Sequence, residues 1–324
     1  MPVTINRTLR ATACTLNGVA IGGVTTITPS FGFREVIVAP MDGAGGPTLI
    51  HRSRQQLTAA VTFQDAADFI NALTGAAGDL VFYSKLSGDS KYLRHTMGNN
   101  ADVAGKGTIR SASISFRRGQ LAVVNADMEF TVLENTYGIK LAWKVEDNAT
   151  AGWTLVGGAP GAGQFNHIAA TRYDQLRSVT TAGAINPRYL ESLTVNVRGS
   201  VESASHDADI GTSVIDVPDY DITGSIEFQD AGIQKEVAGT PAGSPDREYL
   251  DLVSLPLQAS GNIVLTARKH DDTGNITLTI KNAKFLDGRA TYNASAGYDT
   301  FTSSFQCEWT PSVPDTLSTM LVIA

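Results

Sequence analysis

The sequence predicts a mainly β chain: two tandem, similar β-sandwich domains, each with at most one short helix. Three observations carry that prediction. Apolar and polar residues alternate with period two in many short stretches, helix signals are almost absent, and the second half repeats landmarks of the first.

The alternation comes first. Leu57, Ala59, Val61 and Phe63 fall on one side of an extended chain, with Thr58, Ala60, Thr62 and Gln64 on the other. Ala112, Ile114 and Phe116 alternate with Ser111, Ser113 and Ser115, and Val124, Ala126, Met128, Phe130 and Val132 alternate with Asn125, Asp127, Glu129 and Thr131. Leu193, Val195 and Val197 alternate with Thr194, Asn196 and Arg198; Ile276, Leu278 and Ile280 alternate with Thr277 and Thr279. Strands of this kind have one dry face and one polar face, as in antiparallel sandwiches and barrels.

Only one stretch reads as a helix, from Asp65 to Thr74. It starts on an acidic residue, puts Phe69, Ile70 and Leu73 on one face, and is followed by Gly75 where a helix ends.

The repeat is clearest between LTAAVTFQDA (Leu57–Ala66) and ITGSIEFQDA (Ile222–Ala231), identical at five of ten positions at an offset of 165. Gly78–Phe82 parallels Gly261–Leu265, Gly107–Ile109 parallels Gly274–Ile276, and Phe116–Gly119 parallels Phe285–Gly288, at offsets of 183, 167 and 169. These matches are collinear, as a tandem duplication leaves them, and they make Lys85–Gly107 a loop that the second half lacks. The implied division is a first β-domain over 1–135, a connector over 136–189, a second β-domain over 190–313 and a tail over 314–324. The connector holds Trp143 and Trp153, which should pack on the domains, and a turn-rich stretch, Gly157–Gly163.

Composition excludes several classes. With 42% apolar and 18% charged residues the chain is too apolar for a disordered one. Its 324 residues can bury a core without staples, and two cysteines, Cys14 and Cys307, make neither a disulfide framework nor a four-ligand zinc site. No apolar run reaches the roughly 18 residues of a membrane span. The N-terminus lacks the apolar core of a signal peptide, so a reducing cytoplasm is the expected place of synthesis. The charge sum is 25 − 32 = −7, and phosphate neutralisation needs the opposite sign, which excludes tight sequence-independent DNA binding.

Chemistry-bearing motifs are few. Gly158–Gly163 has no following Lys-Ser/Thr and no strand–loop–helix frame, so it reads as a linker rather than a phosphate loop. His206-Asp207-Ala208-Asp209 and His270-Asp271-Asp272 could offer cation ligands, but both fall between predicted strands, where solvated hairpin tips are expected. There is no Gly-x-Ser-x-Gly elbow, and the five histidines share no spacing. Asp65 and Asp230 fall where a strand hands over to a helix or turn, a capping position. No catalytic, cofactor-binding or metal-ligating residue is assigned, no cofactor is expected, and the chain is expected not to be an enzyme.

Two long segments remain. Val38–Leu49, with Pro40, Met41, Asp42 and Pro47 near its tip, resembles a long hairpin. Lys85–Gly107 is rich in basic and polar residues, with Lys91, Arg94 and Lys106 among them. Loops longer than about 12–15 residues are uncommon unless functional or disordered. The two segments are surface loops or contact arms between subunits.

A strand running into a short helix (Leu57–Thr74), the Gly78–Tyr83 strand and the closing strands at Ser111–Phe116 and Val124–Val132 together resemble the major tail tube protein of long-tailed bacteriophages. The second half offers Ile222–Ala231, Gly261–Leu265, Ile276–Ile280 and Phe301–Trp309. The resemblance lies in architecture and covers most of the chain, with no short diagnostic motif.

It implies a virion structural protein. Three copies would supply six domains and form a homotrimeric, pseudo-hexameric ring, and rings would stack into a tail tube that carries DNA during ejection. The implied partners are the chain itself, other tail proteins and DNA in transient, non-specific proximity, with no membrane. The implied location is the virion tail, assembled in the host cytoplasm. Closing sheets into a ring removes their unpaired edges. Channel-facing candidates are Thr58, Thr62, Gln64, Asn125, Asp127, Glu129, Thr223, Glu227 and Gln229; the same alternation also fits a polar outer wall. Inter-subunit candidates are Pro40, Met41, Asp42, Pro47, Lys91, Arg94 and Lys106. The negative net charge would then make the channel wall mildly repulsive to DNA. The rival expectations are a distal tail or baseplate ring protein and, from another class, a carbohydrate-binding or adhesion β-sandwich module.

Overall fold

The computed structural model describes residues 8–38, 49–73, 78–86, 92–100, 103–133, 140–141, 143–147, 174–180, 190–204, 214–217, 219–229, 260–269, 274–291, 300–309 and 317–324. It is mainly β, with two short helices among the described residues. The first half contains β1 (Thr8–Leu16), β2 (Val19–Ile21), β3 (Thr26–Val38), β4 (Leu49–Phe63), α1 (Ala66–Leu73), β5 (Asp79–Leu86), β6 (Tyr92–Asn100), β7 (Val103–Ala104), β8 (Gly107–Arg117) and β9 (Val123–Phe130). β10 (Val132–Leu133), β11 (Lys140–Leu141), β12 (Trp143–Asp147) and β13 (Asp174–Thr180) follow. The rest comprises β14 (Leu190–Gly199), β15 (Glu202–Ala204), β16 (Val214–Asp216), β17 (Tyr220–Gln229), β18 (Gly261–Lys269), β19 (Asn275–Phe285), β20 (Arg289–Thr291), β21 (Thr300–Cys307), α2 (Leu317–Met320) and β22 (Leu321–Ile323).

Two antiparallel sheets dominate. The smaller runs β12-β6-β5-β1-β2, with β7 added to β6. The larger runs β13-β18-β19-β21-β17-β14-β8-β9-β4-β3, with β20 added to β21 and β22 to β19. Their buried side chains form one apolar core, in which Leu16, Leu80, Phe82 and Met97 of the smaller sheet join Leu57, Val61, Ile114 and Val124 of the larger. The predicted alternation is realised: Leu193, Val195, Val197, Ile276, Leu278 and Ile280 are all buried.

Local signals place the connections. Asn17 and Gly18 link β1 to β2 with φ of 51° and 78°, the left-handed pair that a two-residue hairpin turn requires. Asp65 is fully buried and caps α1, accepting from the Asp68 N–H at 3.0 Å and from the Gly22 N–H at 3.3 Å. Phe69 and Ile70 bury the helix face predicted for them, while Leu73 is only partly buried against the core. Asp230 and Gly75 lie outside the described residues.

Strand pairing recurs along the chain. β4 lies between β3 and β9, and β17 lies between β14 and β21. Leu57 faces Phe31 and Phe130; Glu227, five residues along the matching strand, faces Ser192 and Thr302 as Thr62 faces Thr26 and Asn125. β5 pairs with β1 and β6, and β18 pairs with β13 and β19. Even the irregularities recur. β1 shifts register between Ala11 and Ala13, and β13 shifts between Leu176 and Ser178. β8 shifts against β9 between Ile109 and Ser111, and the β19–β20 run shifts against β21 between Phe285 and Arg289.

This pairing corrects two expectations. The segment Lys85–Gly107 is not a single long loop. Its residues Tyr92–Asn100 form β6, paired with β5 on one side and β12 on the other. The apolar positions Leu93 and Met97 were hidden among Lys91, Arg94 and Gly98. Its pairing also resembles one in the second half, against the expectation of a segment that the second half lacks. Met97 faces Leu80 and Trp143 in the first half, as Ile280 faces Ile263 and Leu321 in the second. β19 therefore does the work of two strands: residues 275–280 pair with β18 and residues 283–285 with β21. Asn282, at φ 54°, marks the change of partner; asparagine tolerates that left-handed conformation better than most residues.

The expected connector over 136–189 contains β12 and β13, each hydrogen-bonded into a sheet, and the tail over 314–324 contains α2 and β22. Trp143 packs against the core, as expected; Trp153 and Gly157–Gly163 lie outside the described residues.

Candidate functional site: a concave polar sheet face

The strands of the larger sheet put one side chain in two into the core and the next on the opposite face. On β3, β4, β9, β8, β14, β17 and β21 that opposite face is polar. One row crosses all seven strands: Thr26, Thr62, Asn125, Ser113, Asn196, Thr223 and Gln306 are successive cross-strand neighbours. A second row runs Ser115, Thr194, Ser225, Ser304.

The join between the two halves is β8 against β14. Seven successive pairs form it, from Arg117 opposite Ser192 to Arg198 opposite Ser111. Val195 faces Ile114 on the core side and both are fully buried, while the hydroxyls of Ser115 and Thr194 meet at 3.3 Å on the polar side. The sheet is thus continuous from the first half to the second.

The polar face is hydrogen-bonded to itself. Thr62 Oγ1 donates to Asn125 Oδ1 at 2.9 Å, Ser111 Oγ to Asp127 Oδ2 at 3.1 Å, Ser192 Oγ to Glu227 Oε2 at 3.2 Å and Gln306 Nε2 to Asp221 Oδ1 at 3.0 Å. Cross-strand pairs of this kind are the stabilising unit of a sheet surface. The face is also concave. A cavity of about 990 Å³ is lined by Thr28 and Ser30 of β3, Thr58 of β4, Asp127 of β9 and, from β14 and β17, Arg198 and Asp221. Ser200 and Val201, beyond the end of β14, and Asp219, just before β17, complete its wall.

Most of the expected channel-facing residues share this face. Thr58, Thr62, Asn125, Asp127, Thr223 and Glu227 lie on it by register, Gln64 follows the last residue of β4, and Gln229 ends β17. Glu129 is on the same face but is only 2% exposed. The bulge at Arg110 swings its guanidinium over the carboxylate, with Nε 3.5 Å from Oε2, and Gln56 Nε2 donates to Oε1 at 3.3 Å. The middle of the face is made by residues absent from the expected set: Ser111, Ser113 and Ser115 of β8 and Thr194 and Asn196 of β14. Their alternation was visible in the sequence, but not that the two strands are neighbours.

Charge on the face is mixed rather than uniformly negative. Arg110, Arg117 and Arg198 interleave with Asp127, Glu129, Asp221 and Glu227, and Arg198 lies directly opposite Asp221.

The expected inter-subunit residues divide. Pro40, Met41, Asp42, Pro47 and Lys91 lie outside the described residues. The hairpin below the first four is formed, with β3 and β4 paired as far as Val38 opposite Leu49. Arg94 belongs to β6, opposite Tyr83 and Glu146, rather than to a loop. Lys106 is exposed, and its backbone is pinned to Thr131 by bonds of 2.8 and 2.9 Å.

Other groups with chemical potential are sequestered. Burial pushes the thiols of Cys14 and Cys307 up to about 12, helped by the nearby carboxylates of Asp79 and Asp221 respectively. His95 Nε2 lies 2.9 Å from Ser84 Oγ, its ring stacks on Phe82 at 4.4 Å, and burial lowers its pKa. Ser84 is itself buried, and His95 is half-buried beside it. Both histidine–aspartate clusters, 206–209 and 270–272, lie outside the described residues; among the described residues no group of metal-ligating side chains is assembled. No described helix is long and apolar enough to cross a membrane. No protein-family model matches the chain, and no curated protein matches it.

Proposed function

We propose that the chain is a self-assembling structural subunit of a phage tail tube, built from two copies of one β-sandwich unit. Three chains would make a ring of six units around a channel, and rings would stack to carry DNA. The unit boundaries follow the pairing: the first copy runs from β1 to β12 and the second from β13 to β22. The recurrence of strand order, register and two bulges supports the duplication.

The observation that carries the functional reading is the β8–β14 join. It joins the sheet strands of the first and second halves edge to edge, and the polar, self-bonded face lines a hollow of about 990 Å³, which supports this face as the channel side. A wall of small hydroxyls and amides whose hydrogen bonds are already satisfied offers DNA few fixed partners. Interleaved charges of both signs give no net electrostatic grip. The role is one of shape and passage, with no catalytic step and no cofactor.

Electron microscopy of the purified full-length chain, alone and in virions, tests this. Tubes of stacked rings with threefold symmetry are expected. A single ring per virion at the tail tip would move the chain to the distal tail or baseplate class. A strictly monomeric protein absent from tails would overturn the proposal.

A further inference from the structure

The hollow on the polar face differs from the rest of that face in what its two sides carry. Between them the lining is self-bonded, with Ser111 donating to Asp127 at 3.1 Å and Arg110 held by Glu129 at 3.5 Å. The sides are not. Thr28 and Ser30 of β3 and Thr58 of β4 present hydroxyls from one side; Arg198 of β14, Asp219 and Tyr220 of β17 face them from the other. Among the described residues, none of these six side chains makes a hydrogen bond or an ion pair. Thr28, Ser30, Arg198 and Asp219 are exposed, so their polar groups are held by solvent and open to exchange.

The chemistry of the lining selects a class of ligand. An apolar molecule finds little to bury against: Met128 points into the core at 1% exposure, which leaves Val201 and the Tyr220 ring. A polyanion meets three carboxylates, Asp127, Asp219 and Asp221, against two guanidiniums, Arg110 and Arg198. A polycation meets Arg198 among its acceptors. A neutral polyhydroxylated molecule meets neither cost. Each of its hydroxyls both donates and accepts, so it can serve a carboxylate, a guanidinium and a row of Ser and Thr hydroxyls together. Size points to a chain of sugar units rather than one. The lining spans six strands, about 24 Å along the sheet at about 4.8 Å per strand. Its volume of about 990 Å³ is at the upper end of small-ligand clefts.

We infer that this hollow binds a neutral oligosaccharide. Asp219 accepts from sugar hydroxyls and Arg198 donates to them at one side, Thr28, Ser30 and Thr58 bond the sugar at the other, and the Tyr220 ring takes the C–H face of a sugar ring. The two charged groups sit together because the strands bring them there: Arg198 lies opposite Asp221, and the Ser200 N–H donates to the Asp219 carbonyl at 2.8 Å just beyond the strand ends. That bond uses the Asp219 backbone and leaves its carboxylate for a ligand. The inference goes beyond the tube reading and does not depend on it.

Saturation-transfer NMR of the full-length chain tests this, with neutral tetrasaccharides of glucose, mannose, galactose and N-acetylglucosamine as probes. Saturable binding of at least one is expected. Asp219→Ala and Arg198→Ala are each expected to weaken it about tenfold or more, since each leaves sugar hydroxyls without a partner. Both positions are exposed, and an unchanged melting curve confirms that the variants fold. Thr223→Ala, on the same face but outside the hollow, is expected to bind as the parent does. No saturable binding of any of the four, or binding that survives both variants, overturns the site. Tighter binding of tetragalacturonate or of spermidine than of every neutral probe overturns the neutral-sugar assignment. Tube formation is scored on the same preparations: tubes without sugar binding overturn this inference alone, and sugar binding without tubes overturns the tube and leaves this site standing.

Discussion

Arg110 Nε lies 3.5 Å from Glu129 Oε2, an ion pair whose carboxylate side is 3% exposed and whose guanidinium side is 49% exposed. The pair exists because β8 carries a bulge at that point, which turns Arg110 back onto the sheet face. Removing Arg110 leaves a buried carboxylate with Gln56 as its remaining side-chain partner. Arg110→Ala is expected to lower stability by about 1–2 kcal/mol, discounted for the exposed guanidinium. Glu129→Gln, which keeps the acceptor for Gln56, should cost less. Urea denaturation of the two variants checks the order.

If the chain forms the proposed tube, charge reversal on the polar face separates passage from assembly. Asp127 is exposed and Glu227 is partly exposed, so Asp127→Lys with Glu227→Lys should leave folding and rings intact while slowing DNA release from virions. Unchanged release from well-formed tubes would remove both residues from the channel wall. Glu129→Lys does not belong in that set. It would bury an ammonium beside Arg110 and is expected to cost more than about 3 kcal/mol, seen as insoluble protein.

Gly224 has no room for a side chain. An added Cβ would run into the Thr194 carbonyl and the Phe305 ring, which lies across it from β21. The first half solves the same place differently, with Ala59 opposite Met128. Gly224→Ala should therefore destabilise by about 1–3 kcal/mol, and adding Phe305→Met should recover part of the loss. Thermal melts of the single and double variants measure the recovery; an additive double variant would argue that the Thr194 carbonyl alone sets the limit.

His95 gives the fold a pH dependence. Burial favours its neutral form, so its folded pKa lies below the usual 6.5. As pH falls through 6.5, the unfolded chain takes up a proton that the folded chain refuses, and stability drops. Burial raises the pKa of Asp79, which acts with the opposite sign nearer pH 4, so the window to measure is about pH 5 to 7. Leu278, which faces Leu265 as His95 faces Phe82, holds the matching place in β19. His95→Leu is expected to flatten the fall in melting temperature across that window. An equally steep fall in the variant would assign it to another group.

Local chemistry was legible in the sequence wherever one strand or turn determined the outcome. The alternation at Leu57–Gln64 and Val124–Val132 gave the buried and polar faces, because the strand period of two is a property of the backbone itself. Asp65 was readable as a cap from its place before Ala66-Ala67. The burial of Glu129 is not legible in the sequence, because it depends on Arg110, aimed by a bulge that alternation does not reveal. β6 was missed because its apolar positions are few and its neighbours β5 and β12 supply most of its stability. The repeat at Leu57–Ala66 and Ile222–Ala231 is visible in the sequence as letters, which say nothing of strand partners. In the structure Gly107 lies opposite Phe130, and Ala283 lies opposite Cys307.

The sequence by itself determined that this is a β-rich chain and which residues of its clearest strands face the core. Only the tertiary structure decided which strands are neighbours, that Ile114 meets Val195 across the join of the two halves, and that the polar face is the concave one. The physical reason is that period-two patterning records which side of a strand is dry, while hydrogen-bond partners along its edges leave no periodic trace. A β-strand offers the same backbone groups to a neighbour in its own unit, in the next unit or in another chain.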